Sequence, residues 1–146
     1  MTENGIGKCV LDAAYNVHSP LGPGLLETVY EVILAHEIEL SGLKMERQKP
    51  IPIHYGEIFF HEGFRGELRV EDKVIVELKS CEAVLPVHGK QLLTQLRLSE
   101  RNLIFLINFG AVHLRHGIKR VVNGLPDEEA SREGRHGRKG REEIEL

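Results

Sequence analysis

The stretch Gly66–Lys79 constrains the fold of this 146-residue chain most strongly, because its side chains alternate as they would in a β-hairpin. A turn centred on Asp72 would pair Leu68 with Val76. That register places the aliphatic side chains of both strands on one face of the hairpin. The segment therefore predicts two antiparallel strands with one face directed toward a hydrophobic core.

The same register sets two carboxylates, those of Glu67 and Glu77, opposite each other on the second face. At a separation of about 4 Å and an effective dielectric near 20, their repulsion costs about 4 kcal/mol. The pair is tolerated if one group is protonated, if both reach water, or if a cation lies between them. A divalent cation there, with Lys79 two residues along, would form a hydrolytic site. The alternative is a solvated hairpin face.

Length and composition predict one domain, residues 1–124, followed by a charged tail, residues 125–146. The tail has few apolar residues, so it cannot offset its ordering entropy and is expected to be disordered. Its basic residues could contact phosphates, or the tail could simply be solvated. The net charge of −3 provides no global attraction to nucleic acid, so any such contact requires a local patch.

The chain shows no signal-peptide pattern and no apolar run long enough to span a bilayer. Cys9 and Cys81 are too few and too far apart for a zinc motif or a disulfide framework. Both are expected to be buried, reduced side chains. These observations predict a cytoplasmic protein without a membrane partner.

Hydrophobic periodicity along the rest of the chain predicts a mixed α+β fold, in which helices pack on a mixed sheet. In the second helix Glu27 is expected beside the apolar stripe and Glu31 outside it. A third helix between the hairpin and a buried strand indicates a crossover connection. The predicted helices are 5–18, 25–40 and 87–98. The predicted strands besides the hairpin are 44–53, which is an edge strand or an irregular one, 58–60, and 103–109, which is buried on both faces.

The segment Gly24–Tyr30 has the pattern Gly-x-x-Glu-x-x-Tyr, formed by Gly24, Glu27 and Tyr30. With this segment and others in the same order, the chain resembles the GxxExxY protein family, a branch of the PD-(D/E)XK nuclease-like superfamily. The resemblance covers roughly residues 5 to 124. The supporting segments are 17–18 with 21–24, 46–48, 70–79, 85–88 with 91–93, 106–109 and 117–120.

The resemblance implies a restriction-endonuclease-like core of order α-β-β-β-α-β and metal-assisted hydrolysis of phosphodiester bonds. In this chain Glu77 and Lys79 take the Glu-x-Lys positions, and Glu67 takes a position usually held by Asp. Glu27 resembles an acidic residue that some members present from the preceding helix. Gln91 resembles the Gln of a Gln-x-x-x-Tyr motif.

The chain departs from the family pattern at two positions. Glu67 is one methylene longer than the usual Asp, and Gln95 stands where Tyr is usual. Metal sites depend strictly on the reach of their ligands, so either change could weaken or retune catalysis.

Carboxylate oxygens favour Mg²⁺ or Mn²⁺, and the expected ligands are Glu67, Glu77 and Glu27. Lys79 would orient the attacking water, and Gln91 would orient a ligand or contact the scissile phosphate. A modest basic edge on the third helix would follow the nucleic-acid backbone. Its members are Lys90, Arg97 and Arg101.

The sequence thus predicts a metal-dependent nuclease acting on DNA or RNA, with DNA favoured. The alternative is a catalytically weak or inactive relative that binds nucleic acid or a protein partner. A third interpretation is a structural subunit of a complex, and a homo-oligomer is compatible with all three.

Overall fold

The computed structural model describes residues 1–125 and the backbone of Glu142–Glu145. Its strands lie in one six-stranded sheet in sequence order, in which β3 and β4 are parallel and the other neighbours are antiparallel. The helices are α1 (Glu3–Leu21), α2 (Glu27–Leu40) and α3 (Pro86–Ser99), and the strands are β1 (Met45–Tyr55), β2 (Ile58–Val70), β3 (Val74–Lys79), β4 (Leu103–Asn108), β5 (Ile118–Asn123) and β6 (Glu142–Glu145). The predicted mixed α+β class and the α-β-β-β-α-β order of the core, from α2 to β4, are confirmed.

Helices cover both faces of the central sheet. On one face α1 and α2 pack against the aliphatic side of the hairpin, with Leu68 and Val76 buried there. On the other face α3 packs through Leu92 and Leu96 on Ile75. The second face of the hairpin is therefore not simply solvated, because α3 covers its centre.

The hairpin register agrees with the sequence-based prediction. Val70 pairs with Val74 and Leu68 with Val76, around the turn that contains Asp72. Strand β4 is buried along its whole length and lies beside β3, as expected for a strand covered on both faces. Strand β1 is at the edge of the sheet, which is the position that its prolines favour.

Two boundaries differ from the prediction. The expected short strand 58–60 and the expected turn at Glu62 and Gly63 are parts of one strand, β2. Pairing with β1 continues past this point because a bulge between Ile51 and Ile53 absorbs the extra residues. Helix α1 also continues to Leu21 instead of ending at 18, and includes a proline in its last turn.

Most of the predicted disordered tail lies outside the described residues. Within it, Glu142–Glu145 forms strand β6, which pairs antiparallel with β5. The structure differs here from the expected disorder. The ladder with β5 supplies backbone hydrogen bonds, and the low apolar content of the segment does not predict them. Within the described residues, no helix combines the length and the apolar character that a bilayer crossing requires.

Candidate functional site

The candidate site begins where β2 and β3 separate, a place that we call the fork. The ladder between these strands starts at the turn and ends with the pair Leu68 and Val76. Beyond that pair β2 continues along β1, whereas β3 continues along β4 through Lys79. The backbone groups of β2 and β3 that face each other past the last pair must therefore find other hydrogen-bond partners.

Two carboxylates take the place of the missing ladder bonds. The N–H of Leu78 donates to Oε2 of Glu67 at 2.8 Å. In the other direction, the N–H of Glu67 donates to Oε1 of Glu77 at 3.4 Å. The fork thus brings together the two acids that the hairpin register predicted to be neighbours, and it fixes one oxygen of each.

The electrostatics of the fork favour protonation of these acids. The pKa of Glu67 is raised to about 8, first because burial disfavours the charged form and then because the charge of Glu77 lies beside it. Burial also raises the pKa of Glu77 to about 7, although the N–H of Glu67 and the ammonium of Lys79 oppose the increase. At neutral pH the pair therefore retains a proton. This proton reduces the repulsion between the two carboxylates, as a cation between them would.

Glu27 approaches the same fork from the first residue of α2. The side chain of Glu27 further raises the pKa of Glu67 through its proximity and its charge. The charge of Glu27 also raises the pKa of Glu77. The prediction that Glu27 lies near the two hairpin acids is therefore consistent with the packing of α2 against the sheet.

The residues around Glu27 explain the Gly-x-x-Glu-x-x-Tyr pattern physically. Gly24 has a φ of 122°, a backbone conformation that favours glycine, so the chain turns into α2 at this point. The buried hydroxyl of Tyr30 donates to the carbonyl of Gly22 at 2.5 Å and accepts from the N–H of Leu25 at 3.3 Å. The hydroxyl of Ser80 donates to the carbonyl of Leu25 at 2.7 Å. The loop before Glu27 is thereby attached to the end of β3.

Lys79 is half-buried at the end of β3, two residues after Glu77. Residues two apart on a strand have side chains on the same face, so the ammonium lies on the side of the sheet that carries Glu77. Its charge lowers the pKa of Glu77, which indicates electrostatic contact between the two groups. The expected grouping of Lys79 with the carboxylates is consistent with this geometry.

Glu31 is a residue of the site region that the sequence interpretation placed wrongly. It was expected on the outer side of α2, but it is buried and bound by β1. Arg47 donates through Nε at 3.0 Å and through Nη2 at 2.8 Å to Oε2, and Gln48 donates to Oε1 at 2.9 Å. The charge of Glu31 also raises the pKa of Glu77. The available signal was its spacing of four from Glu27, which puts both acids on one side of the helix.

Gln48 adopts an unusual backbone conformation beside the fork, with a φ of 52°. It falls where the ladder between β1 and β2 is interrupted, opposite Glu67 and between the pairs of Arg47 with Leu68 and Lys49 with Gly66. A non-glycine residue with positive φ is uncommon and costs free energy that the surrounding contacts must offset. Here the hydrogen bond from Gln48 to Glu31 is one of those contacts.

The residues predicted on α3 are less closely associated with the carboxylates. Gln91 is exposed, and in residues 1–125 no hydrogen bond joins it to the fork acids. Gln95, at the position where Tyr is usual, is half-buried, and its Oε1 has no partner among the described residues. Gln91 therefore lies on the helix that covers the acid-bearing face of the sheet, but its amide does not contact the acids.

The predicted basic edge is divided between the two ends of α3. Lys90 and Arg97 are exposed on the helix. Arg101 lies beyond its end and donates to the carboxylate of Asp72 at 2.9 Å, at the turn between β2 and β3. The eleven-residue separation from Lys90 to Arg101 corresponds to about 16 Å of helix rise. Because Arg101 is already paired at the opposite end of β3, it is not part of a continuous basic surface beside the fork.

The fork acids match the donor chemistry of a hard divalent cation. Glu67, Glu77 and Glu27 offer carboxylate oxygens, and burial, the main cause of the raised pKa values of Glu67 and Glu77, favours a bound cation as it favours a bound proton. Within the described part of the chain, no three acidic, histidine or cysteine side chains are already arranged as a metal cluster. The residues therefore fit Mg²⁺ or Mn²⁺ in chemistry, and a small rearrangement of the carboxylates would have to accompany binding.

A comparison with known families agrees with this geometry. The sequence matches the family model described as the PD-(D/E)XK nuclease superfamily over residues 4–121, a range that includes α2, the hairpin and α3. No curated protein and no solved structure matches the chain. Because the match spans most of the chain and every element of the core, the chain belongs to the PD-(D/E)XK nuclease superfamily.

Proposed function

We propose that this protein is a metal-dependent nuclease of the GxxExxY branch, which hydrolyses phosphodiester bonds with Mg²⁺ or Mn²⁺ and favours DNA over RNA. The observation that carries the proposal is the fork, where Glu67 and Glu77 replace ladder hydrogen bonds. Membership of a nuclease superfamily supports the reaction class. The pattern around Glu27 and Tyr30 supports the branch.

In this proposal Glu67 and Glu77 hold the cation, and Glu27 completes the carboxylate set from α2. The cation would lower the pKa of a bound water and offset negative charge on the reacting phosphate. Because one oxygen of each hairpin acid is fixed by a backbone N–H, the other oxygens are the ones free to turn toward a ligand. The fork therefore limits the motion of both ligands before the substrate arrives.

Lys79 would act on the attacking water or on a phosphate oxygen. Its half-buried ammonium lies on the same strand face as Glu77, so a water held near that carboxylate would be within its range. A positive charge fixed at this position would stabilise the charge that develops on the phosphate. Gln91 would contact the substrate, or a ligand of the cation, after a change of rotamer.

The test is cleavage of labelled single-stranded and duplex DNA and RNA with Mn²⁺ or Mg²⁺ by the wild type and by Lys79→Ala. Lys8→Ala is the matched control, because Lys8 is an exposed lysine on α1 that pairs with Asp12. We expect metal-dependent cleavage by the wild type and the control, and its loss in Lys79→Ala. Equal cleavage by all three proteins would contradict the proposal.

A second candidate function is a nuclease-fold module that binds nucleic acid or a protein partner without turnover. The observation that favours it is the absence, within residues 1–125, of a ready three-residue metal cluster. Gln95 in the usual Tyr position supports it further. Binding of oligonucleotides in a gel-shift assay, without cleavage in either metal, would favour this candidate over the nuclease.

A further inference from the structure

The end of the β1–β2 hairpin forms an arm, residues 53–60, that extends past the bulge in the ladder. Among the residues that the structure describes, its two strands pair only with each other, since the partner strand β3 reaches β2 no further than Leu68. Within the arm Tyr55 pairs with Ile58, and Ile53 pairs with Phe60. Paired residues and residues two apart share a face, so these four side chains lie on one face of the arm.

This face is apolar and open to solvent. The exposed fractions are 69% for Tyr55, 55% for Ile58 and 48% for Phe60. On the opposite face the ring of Phe59 lies 4.8 Å from that of His54 and 4.7 Å from that of His61, so Phe59 already has ring partners in its own chain. Contiguous exposed apolar side chains of this size are uncommon on monomers and typical of an interaction surface.

The edges of the arm differ in how well they are protected from further strand pairing. The outer edge is β1, which carries Pro50 and Pro52 directly before the arm, residues that discourage another strand from adding to that part of the edge. Strand β2 contains no proline, and among the described residues no strand pairs with its second edge between Ile58 and Glu67. Apolar side chains and available backbone groups therefore occur together on one strand of the arm.

A second copy of the chain fits this surface better than nucleic acid does. The apolar face carries no cation, whereas surfaces that bind nucleic acid are strongly positive. Arg65, the nearest cation on β2, already donates to Glu62 at 2.6 Å. Two-fold pairing would set each apolar face against its own copy, as a closed homodimer requires. With about 100–150 Å² of exposed area from each of the three exposed side chains, two arms would bury about 600–900 Å², the size of a weak, reversible interface.

We propose that the β1–β2 arm is a dimerisation element, in which the apolar faces of two copies pack against each other around a two-fold axis. This inference goes beyond the proposed nuclease function and does not depend on it. The arm is separate from the fork along β2, so the two can be tested by independent measurements.

The test is sedimentation equilibrium of the full chain, from low to high micromolar concentration. The wild type is compared with Ile58→Lys and Tyr55→Lys, each of which puts a charge on an exposed position of the apolar face. The matched control is Val112→Lys, because Val112 is 75% exposed and lies outside the arm. Circular dichroism of each variant reports whether the fold is retained.

We expect a dimer for the wild type and for the control, and at least a tenfold weaker dimer for each arm variant. A wild type that stays monomeric over the whole range would overturn the proposal, as would arm variants that dimerise as tightly as the control. If the wild type is monomeric and Ile58→Lys instead loses affinity for an oligonucleotide, the arm is a nucleic-acid contact and the proposal is wrong. The molecular masses measured by sedimentation do not depend on cleavage activity.

Discussion

Neutralising Glu67 tests the electrostatic account of the fork directly. Its pKa is raised from 4.5 to about 8 by burial and by Glu77, so the folded protein holds this proton more tightly than the unfolded chain does. A tenfold difference in proton affinity corresponds to about 1.4 kcal/mol, which gives about 5 kcal/mol for the full difference. Because the carboxyl is only half-buried and water screens it, we expect about 2 kcal/mol.

The sign of the effect follows from the direction of the pKa change. The stabilisation is complete below pH 4.5 and is lost as the pH rises through about 8, where Glu67 ionises in the folded state. The ionisation of Glu67 should therefore lower the melting temperature of the metal-free wild type by about 6 °C across this window. The side chain of Glu67→Gln cannot ionise, so the melting temperature of this variant should fall less than that of the wild type, by the share that the raised pKa of Glu77 contributes. Mn²⁺ should restore the wild type near pH 8 and leave Glu67→Gln nearly unchanged.

The assay is thermal unfolding followed by circular dichroism, in buffers of equal ionic strength with a chelator or with Mn²⁺. Glu39→Gln is the control, because Glu39 is an exposed acid at the other end of α2 from Glu27. It should show the wild-type dependence on pH. If Glu67→Gln loses stability with pH as steeply as the wild type does, the raised pKa of Glu67 is not the cause and the reasoning is refuted.

Three further predictions concern packing and charge. Glu31→Ala should lower the free energy of unfolding by about 2–3 kcal/mol, because it removes the buried partner of two side chains from β1. An unchanged midpoint of urea unfolding would contradict this. Gly110→Ala should lower the melting temperature, because the added Cβ would collide with the backbone of Cys81, at a cost of about 2 kcal/mol. A melting curve identical to that of the wild type would show that this contact is not tight. Lys90→Ala should reduce the slope of the logarithm of the oligonucleotide binding constant against the logarithm of the salt concentration by about 1. Arg101→Ala should leave this slope unchanged, since Arg101 is already paired with the turn between β2 and β3. Equal slopes for these two variants in a fluorescence anisotropy titration would contradict the division of the basic edge.

Local patterns predicted much of the fold. Alternation in Gly66–Lys79 predicted the hairpin register, and the nearly apolar run 103–109 predicted the buried strand, which ends at Asn108. The prolines of β1 predicted an edge strand or an irregular one, and β1 is at the edge of the sheet and contains a bulge in its pairing. Each of these follows from a period or a backbone restriction within a few residues, which does not depend on distant partners.

The continuity of β2 was not predictable in this way. Glu62 and Gly63 form a sequence typical of a turn, yet the strand passes through them. A bulge beside Ile51 accommodates them while β1 continues to supply hydrogen bonds. The tertiary partner therefore overrides a local preference, and the same pairing produces the exposed arm.

For the candidate site too, some features followed from local sequence and others from tertiary contacts. The sequence by itself determined that Glu67 and Glu77 are opposite neighbours, because strand geometry fixes which side chains share a face. Only the tertiary structure decided that the strands separate there, that α2 brings Glu27 to the fork, and that Glu31 is buried against β1. The physical reason is that the burial and charge environment of a side chain depend on which elements cover it, and those elements are distant in sequence.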